Sequence, residues 1–148
     1  MIDDLYSDRI LRLAANMPRA GRLAHPHGTA EKTAKLCGSR ITVDVCVQNG
    51  RVVDFAQDVK ACALGQAAAA VVGAHVVGAD VQEVLAARDV FRAMLKQGGP
   101  PPSGRFADLA VLQPVREFPP RHASTLLALE AAVAAIEAAT AAPARQVA

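Results

Sequence analysis

Apolar residues fall at helical spacing at the start of the chain. Tyr6, Ile10, Leu13 and Met17 recur every three or four positions, which predicts a helix over residues 3–17. Asp3 and Asp4 sit where a helix dipole favours negative charge, and Pro18 ends the run. Pro18, Gly21, Pro26 and Gly28 then mark an irregular stretch over 18–36, with a short strand leading into Cys37. From Ile41 the period becomes two. Ile41, Val43, Val45 and Val47 share one face of a strand, and Val53, Phe55 and Val59 share one face of the next. Between them stands Asn49-Gly50, the strongest short hairpin signal. A plain two-residue loop sets Val45 opposite Asp54. A three-residue loop with a glycine bulge sets Val45 opposite Phe55 and Val47 opposite Val53, and burial of one face selects the bulged loop. Cys46 then lies on the other face with Thr42 and Asp44, and the carboxylates Asp44, Asp54 and Asp58 read as the wet side of the hairpin.

Beyond the hairpin the pattern is helical. Residues 63–77 are alanine-rich and predict a buried helix whose Gly65 and 67–70 surface suits close packing. Asp80 caps a further helix reaching Gln97, with Val84, Phe91 and Leu95 inward and Gly98-Gly99 at its end. Residues 100–104 read as an exposed loop, and 107–112 as a short helical turn. The last helix starts after Pro119-Pro120 and carries Leu126, Leu129, Val133 and Ile136 on one stripe. The segregation of strands and helices predicts an α+β fold, a small antiparallel sheet of about three strands with several helices packed on one face. Residues 1–139 read as a single domain and 140–148 as a flexible tail.

Composition narrows the function. A chain of 148 residues suits one domain. Its net charge of +2 is scattered, and it holds four Phe, one Tyr and no Trp, which argues against nucleic-acid binding. Polar residues interrupt the apolar runs, so no membrane span is expected, and the acidic N-terminus lacks a signal-peptide pattern; the expectation is a cytoplasmic protein. Three cysteines are an odd set, which disfavours a disulfide framework and leaves thiols available as ligands or nucleophiles. Neither a nucleophile elbow around Ser124 nor a phosphate-binding glycine motif is present, and the chain is not expected to be an enzyme.

The chemistry concentrates in Cys37 and Cys62. They flank the hairpin, which returns the chain to its starting point and brings the two thiols together. Cys62 sits at the N-terminus of the alanine-rich helix, where unpaired amides favour a thiolate. Converging thiols point to soft-metal or sulfur chemistry. Cys46 reads as structural, His25 and His27 as loop residues, and His75 as a packed or partly exposed helix residue. His122 and Ser124 open the last helix, where the plainest reading is that they satisfy its first-turn amides.

Cys37-Gly38 before the hairpin, Cys62 at the following helix, Asn16-Met17-Pro18-Arg19-Ala20-Gly21, and Phe118-Pro119-Pro120-Arg121 after a long insertion together resemble the U-type iron–sulfur cluster scaffold family: IscU, the SufU branch and the N-terminal part of NifU. The resemblance runs over about residues 5–135. It implies cluster assembly, a transient iron–sulfur cluster or zinc at the site, and a cysteine desulfurase and apo iron–sulfur proteins as partners. Two positions depart from the family pattern. Ser39 stands where the family has Asp, and Ser124 where it has a third Cys. Hydroxyls are poor ligands for iron or zinc beside thiolate and imidazole. His122, two residues before Ser124, and Asp58, close to Cys62 in sequence, are the replacements the chain offers. Three readings stand open: a scaffold with Cys37 and Cys62 as metal or sulfur ligands, an interaction or regulatory module on a degenerate scaffold fold, and, in the manner the SufU resemblance implies, a persulfide relay without metal in which Cys62 is the candidate sulfur acceptor.

Overall fold

The computed structural model describes residues 6–141. Helix α1 spans Asp8–Ala15, shorter than the predicted 3–17. The Ser7 hydroxyl accepts from the Ile10 amide at its start, and Asn16 ends it ahead of Pro18. Asp3 and Asp4 lie outside the described residues. Three strands follow, β1 (Gly28–Ala34), β2 (Ser39–Gln48) and β3 (Arg51–Lys60), in the order β1-β2-β3 and antiparallel throughout. Helix α2 is Ala63–His75 and α3 is Val81–Gln97. The Glu83 carboxylate accepts from the Asp80 amide at the start of α3, and Gly98 closes it in the left-handed conformation at φ 69°. A 3-10 segment over Gly104–Glu117, longer than the turn expected at 107–112, leads through Pro119–Arg121 into α4 (His122–Ala141). Pro102, expected in an exposed loop, is buried. The architecture is the α+β arrangement expected, with the sheet packed against helices. Of the predicted tail, residues 142–148 lie outside the described residues, and Thr140 and Ala141 complete α4.

The hairpin corrects the predicted loop. Val45 does face Phe55, but Gln48 pairs with Arg51, so the turn has two residues. Asn49 (φ 55°) and Gly50 (φ 75°) adopt the positive φ values that such a turn requires. The extra residue is absorbed further along, between Cys46 and Val47, where Val47 faces Val52 and Val53 is left over. Val52 is buried in its place and Val53 is half exposed. The cause is a long-range pairing: the Val52 amide donates to the Ala79 carbonyl, and the Gly78 amide donates to that of Val52.

Helix α4 lies across β1 and β2, beside α2. Ile41, Val43, Val45 and Phe55 pack there against Leu126, Leu129, Val133 and Ile136 in one continuous core. The approach of β1 to α4 is close enough that a side chain at Gly28 would run into the Ala135 carbonyl and the Ala139 backbone. By length and composition alone Pro119–Ala141 is apolar enough to cross a membrane, but 67% of its most apolar window is buried inside the protein, as in a core helix.

The other face of the sheet is not uniformly wet. Asp44 is fully buried. Its carboxylate receives both Arg22 donors (2.6 and 3.1 Å), the Thr29 hydroxyl (2.6 Å) and the Leu23 amide (3.0 Å). Burial raises the carboxyl pKa, but these bonds together outweigh it and hold Asp44 below the usual carboxylate value. The cluster ties residues 22–23 across β2.

Candidate functional site

Both thiols lie at the end of the sheet away from the Asn49-Gly50 turn. Cys37 occupies the turn between β1 and β2, with the Gly38 amide bonded to the Ala34 carbonyl and Gly38 at φ 72°. Cys62 follows the last residue of β3 and caps α2. The last regular pair between these strands is Arg40 with Lys60. Continuing that register sets Gly38 opposite Cys62, so strand pairing itself draws the two cysteines together.

Two buried hydroxyls complete the cluster. Ser39 is 2% exposed and Ser124 1%. The Cys37 Sγ lies 2.9 Å from the Ser39 Oγ, and the Cys62 Sγ 3.6 Å from the Ser124 Oγ. The two contacts are separate, Ser39 with Cys37 and Ser124 with Cys62, and the Cys37 sulfur also lies 3.8 Å from the Ala34 carbonyl. Helix packing sets the meeting of Cys62 with Ser124. A side chain at Gly65 would lie 3.0 Å from the Ser124 carbonyl, so the missing Cβ lets the first turn of α2 close onto the first turn of α4. Ser124 itself donates to the Arg121 carbonyl (3.2 Å). Partial burial pulls the Cys37 thiol pKa upward and is the largest single influence on it. Hydrogen bonds from the hydroxyl and amide of Ser39 and its own amide, with the nearby Ser124 hydroxyl, together outweigh burial and hold the thiol below its ordinary value.

Access is uneven. Cys37 is exposed and Cys62 half-buried. Leu36, Cys37, Pro120 and Arg121 line an open hollow of about 390 Å³, and Leu36 stands 86% exposed on its rim. The resemblance offers Cys62 as the candidate sulfur acceptor, whereas exposure and the Ser39 contact both belong to Cys37.

The two offered replacements are elsewhere. His122 is buried, and its Nε2 lies 3.1 Å from the Val115 carbonyl and 3.2 Å from that of Arg116. Its ring ties the end of the 3-10 segment to α4 instead of turning to the thiols. Asp58 is exposed, facing Thr42 across β3 and β2, and its charge acts on Arg22. Among the described residues no group of three or more His, Cys, Asp and Glu side chains is placed to hold a metal ion. The donor set is therefore two thiols and two hydroxyls. It suits sulfur and, through the thiolates, soft metal ions, but supplies only half of a tetrahedral shell of strong ligands.

Cys46 is remote from this end, its Sγ against the His25 carbonyl at 3.5 Å. The Val47 amide lies 3.0 Å from the His27 Nδ1, and the His75 Nε2 lies 3.5 Å from Asp108. The Asp44 cluster is a buried polar feature that sequence reasoning missed, as is Gln57, which donates to the Pro18 and Ala69 carbonyls; Arg22, the main partner of Asp44, lies in the irregular stretch and carried no signal.

A family model described as the NifU-like N terminal domain matches residues 5–139. Among solved structures, a nitrogen-fixing NifU-like protein (N-terminal) from Brucella abortus is 49% identical, with TM-score 0.93 over 95% of this chain and 97% of that one. A putative iron–sulfur cluster assembly scaffold protein for the SUF system from Fervidobacterium islandicum is 21% identical, with TM-score 0.80 over 87% of this chain and 94% of that one, a likeness of fold. A hypothetical protein shares the same fold at 24% identity and TM-score 0.80, over 91% and 98% of the two chains. No protein of curated function matches.

Proposed function

Because the chain belongs to the NifU-like N-terminal domain family of iron–sulfur scaffold proteins, we propose that it is an iron–sulfur cluster assembly scaffold that holds sulfur and iron transiently at Cys37 and Cys62. The observation that carries this reading is the placement of both cysteines at one open end of the sheet, Cys37 against the buried Ser39 hydroxyl and Cys62 against that of Ser124. The exposed Cys37 is the thiol a donor reaches first, and its hydrogen bonds favour the nucleophilic thiolate. The half-buried Cys62 stands beside it as the second ligand. Iron and the cluster are cargo here. Two protein thiolates leave coordination positions for an acceptor's ligands or an exogenous thiol, which suits release more than storage. The donor is a cysteine desulfurase and the recipients are apo iron–sulfur proteins.

The test is iron and acid-labile sulfide after anaerobic reconstitution of the natural chain, Cys37→Ser and Cys62→Ser. Matched iron and sulfide in the natural chain, lost in both variants, is the expected result. No sulfide in any of the three would remove the scaffold reading. A second reading, sulfur relay without metal, is favoured by the lack of a third strong ligand among the described residues; it requires persulfide on a site cysteine when metal is withheld.

A further inference from the structure

Sulfur carried as a persulfide is sulfane sulfur, two electrons short of the sulfide that a cluster contains. The site holds two thiols at one end of the sheet, each against a buried hydroxyl, with no third His, Cys, Asp or Glu among the described residues to commit them to metal. Strand register draws Cys37 and Cys62 to adjacent positions, and Cys37 lies in an exposed turn. Cys46 stands roughly 20 Å or more along the extended β2 from Ser39, so it cannot compete for either thiol.

Resting on the reading that sulfur arrives at this site as a persulfide, we propose that Cys37 and Cys62 form a dithiol that releases that sulfur as sulfide by closing a disulfide between them. The persulfide forms on the exposed Cys37. The Cys62 thiolate attacks the inner sulfur, the Cys37 Sγ. The bond from that Sγ to the outer sulfur breaks as the Sγ–Sγ bond forms, and the outer sulfur leaves as hydrosulfide with the bonding pair. The sulfane sulfur gains two electrons, and the two thiols lose two in becoming a disulfide. An external dithiol reduces that disulfide and returns the site to its starting state. The half-buried position of Cys62 fits a resolving thiol, which must reach a neighbour and not a donor.

The experiment uses the reduced, metal-free full chain under anaerobic, dilute conditions with limiting inorganic polysulfide as the probe. Intact mass, peptide mapping and free sulfide are followed with time for the natural chain, Cys37→Ser, Cys62→Ser and Cys46→Ser. In the natural chain and Cys46→Ser, the expected course is gain of one sulfur atom, then its loss with formation of the Cys37–Cys62 linkage and release of sulfide. Cys62→Ser is expected to keep the added sulfur on Cys37 and to release sulfide about tenfold more slowly or worse, because attack from another chain lacks the advantage of proximity. A natural chain that keeps its added sulfur as long as Cys62→Ser does, with no linkage, overturns the proposal while leaving sulfur acceptance intact. A natural chain that never gains sulfur overturns the persulfide reading beneath it. Circular dichroism of each variant separates these results from misfolding.

Discussion

Strand β2 carries two polar clusters that differ in how far their partners satisfy them. At Asp44 a buried carboxylate is surrounded by four donors from Arg22, Leu23 and Thr29. At the start of the same strand, Ser39 and Cys37 meet Cys62 and Ser124 with bonds that involve sulfur, beside an open hollow. The first cluster has no capacity left for a ligand, and its work is to hold the loop before β1 on the sheet. The second places soft nucleophiles where solvent and a partner can reach them. Satisfaction, more than polarity, separates a structural cluster from a chemical one on this strand.

Breaking the satisfied cluster should have the largest effect on stability. Asp44→Ala leaves the Leu23 amide and Thr29 hydroxyl without their acceptor. Arg22 is 54% exposed and regains water, so no buried charge is stranded, and the cost should be about 2 kcal/mol in urea unfolding, the scale of a lost hydrogen bond to a charged group. Sulfur acceptance per folded molecule should not change. Asp44→Asn sharpens the same point through pH. A carboxyl held below its unfolded pKa of about 3.9 contributes stability above that value and loses it as pH falls through the folded value. The stability gap between the natural chain and Asp44→Asn should therefore be full at neutral pH and close in the acid range below about pH 4. A gap that stays constant across that range would place the effect in packing instead of charge.

Adding a strong ligand to the unsatisfied cluster should act on cargo and leave stability nearly alone. The Ser124 Oγ is 3.6 Å from the Cys62 sulfur, so Ser124→Cys puts a third thiol beside the pair. Sulfur is larger than oxygen and the position is buried, so a cost of about 1 kcal/mol is expected. Iron retained after desalting a reconstituted sample should rise about tenfold, the scale on which ligand-shell changes move metal affinity. Unchanged retention would mean that the thiols do not act as a common ligand set.

The two clusters also differ in how well the sequence exposes them. Cys37 and Cys62 are legible because a hairpin is a local device: its turn residues and alternating valines bring its own flanks together. Ser39 and Ser124 come into view only through the family pattern, since a serine beside a thiol has no local signature. Asp44 looks like one of three wet-face carboxylates because its main partner is twenty-two residues away in an aperiodic stretch. The same limit displaced the bulge. Alternation sets Val45 against Phe55, but whether Val52 or Val53 is buried depends on the Ala79 carbonyl, which no period within the hairpin reports. His122 is misread for a related reason: the 3-10 segment brings the Val115 and Arg116 carbonyls over its ring, and such irregular entries into a helix leave little trace in spacing.

The smallest effect expected is also the one that bears most directly on why a serine stands at position 39. An aspartate there would supply a ligand but would set a negative charge beside the Cys37 sulfur, disfavouring the thiolate. The serine hydroxyl, 2.9 Å away, donates to that thiolate instead. Ser39→Ala should therefore raise the Cys37 pKa, and Ser39→Asp should raise it further. The measurement is the rate of alkylation of Cys37 against pH, followed by peptide mapping so that Cys46 and Cys62 do not contribute. At a pH below the natural midpoint both variants should react more slowly than the natural chain, and well above it all three should converge, since each thiol is then ionised. If Ser39→Ala leaves the profile unmoved, the hydroxyl accepts from the thiol and does not stabilise the thiolate, and position 39 is then a packing residue at the mouth of the site.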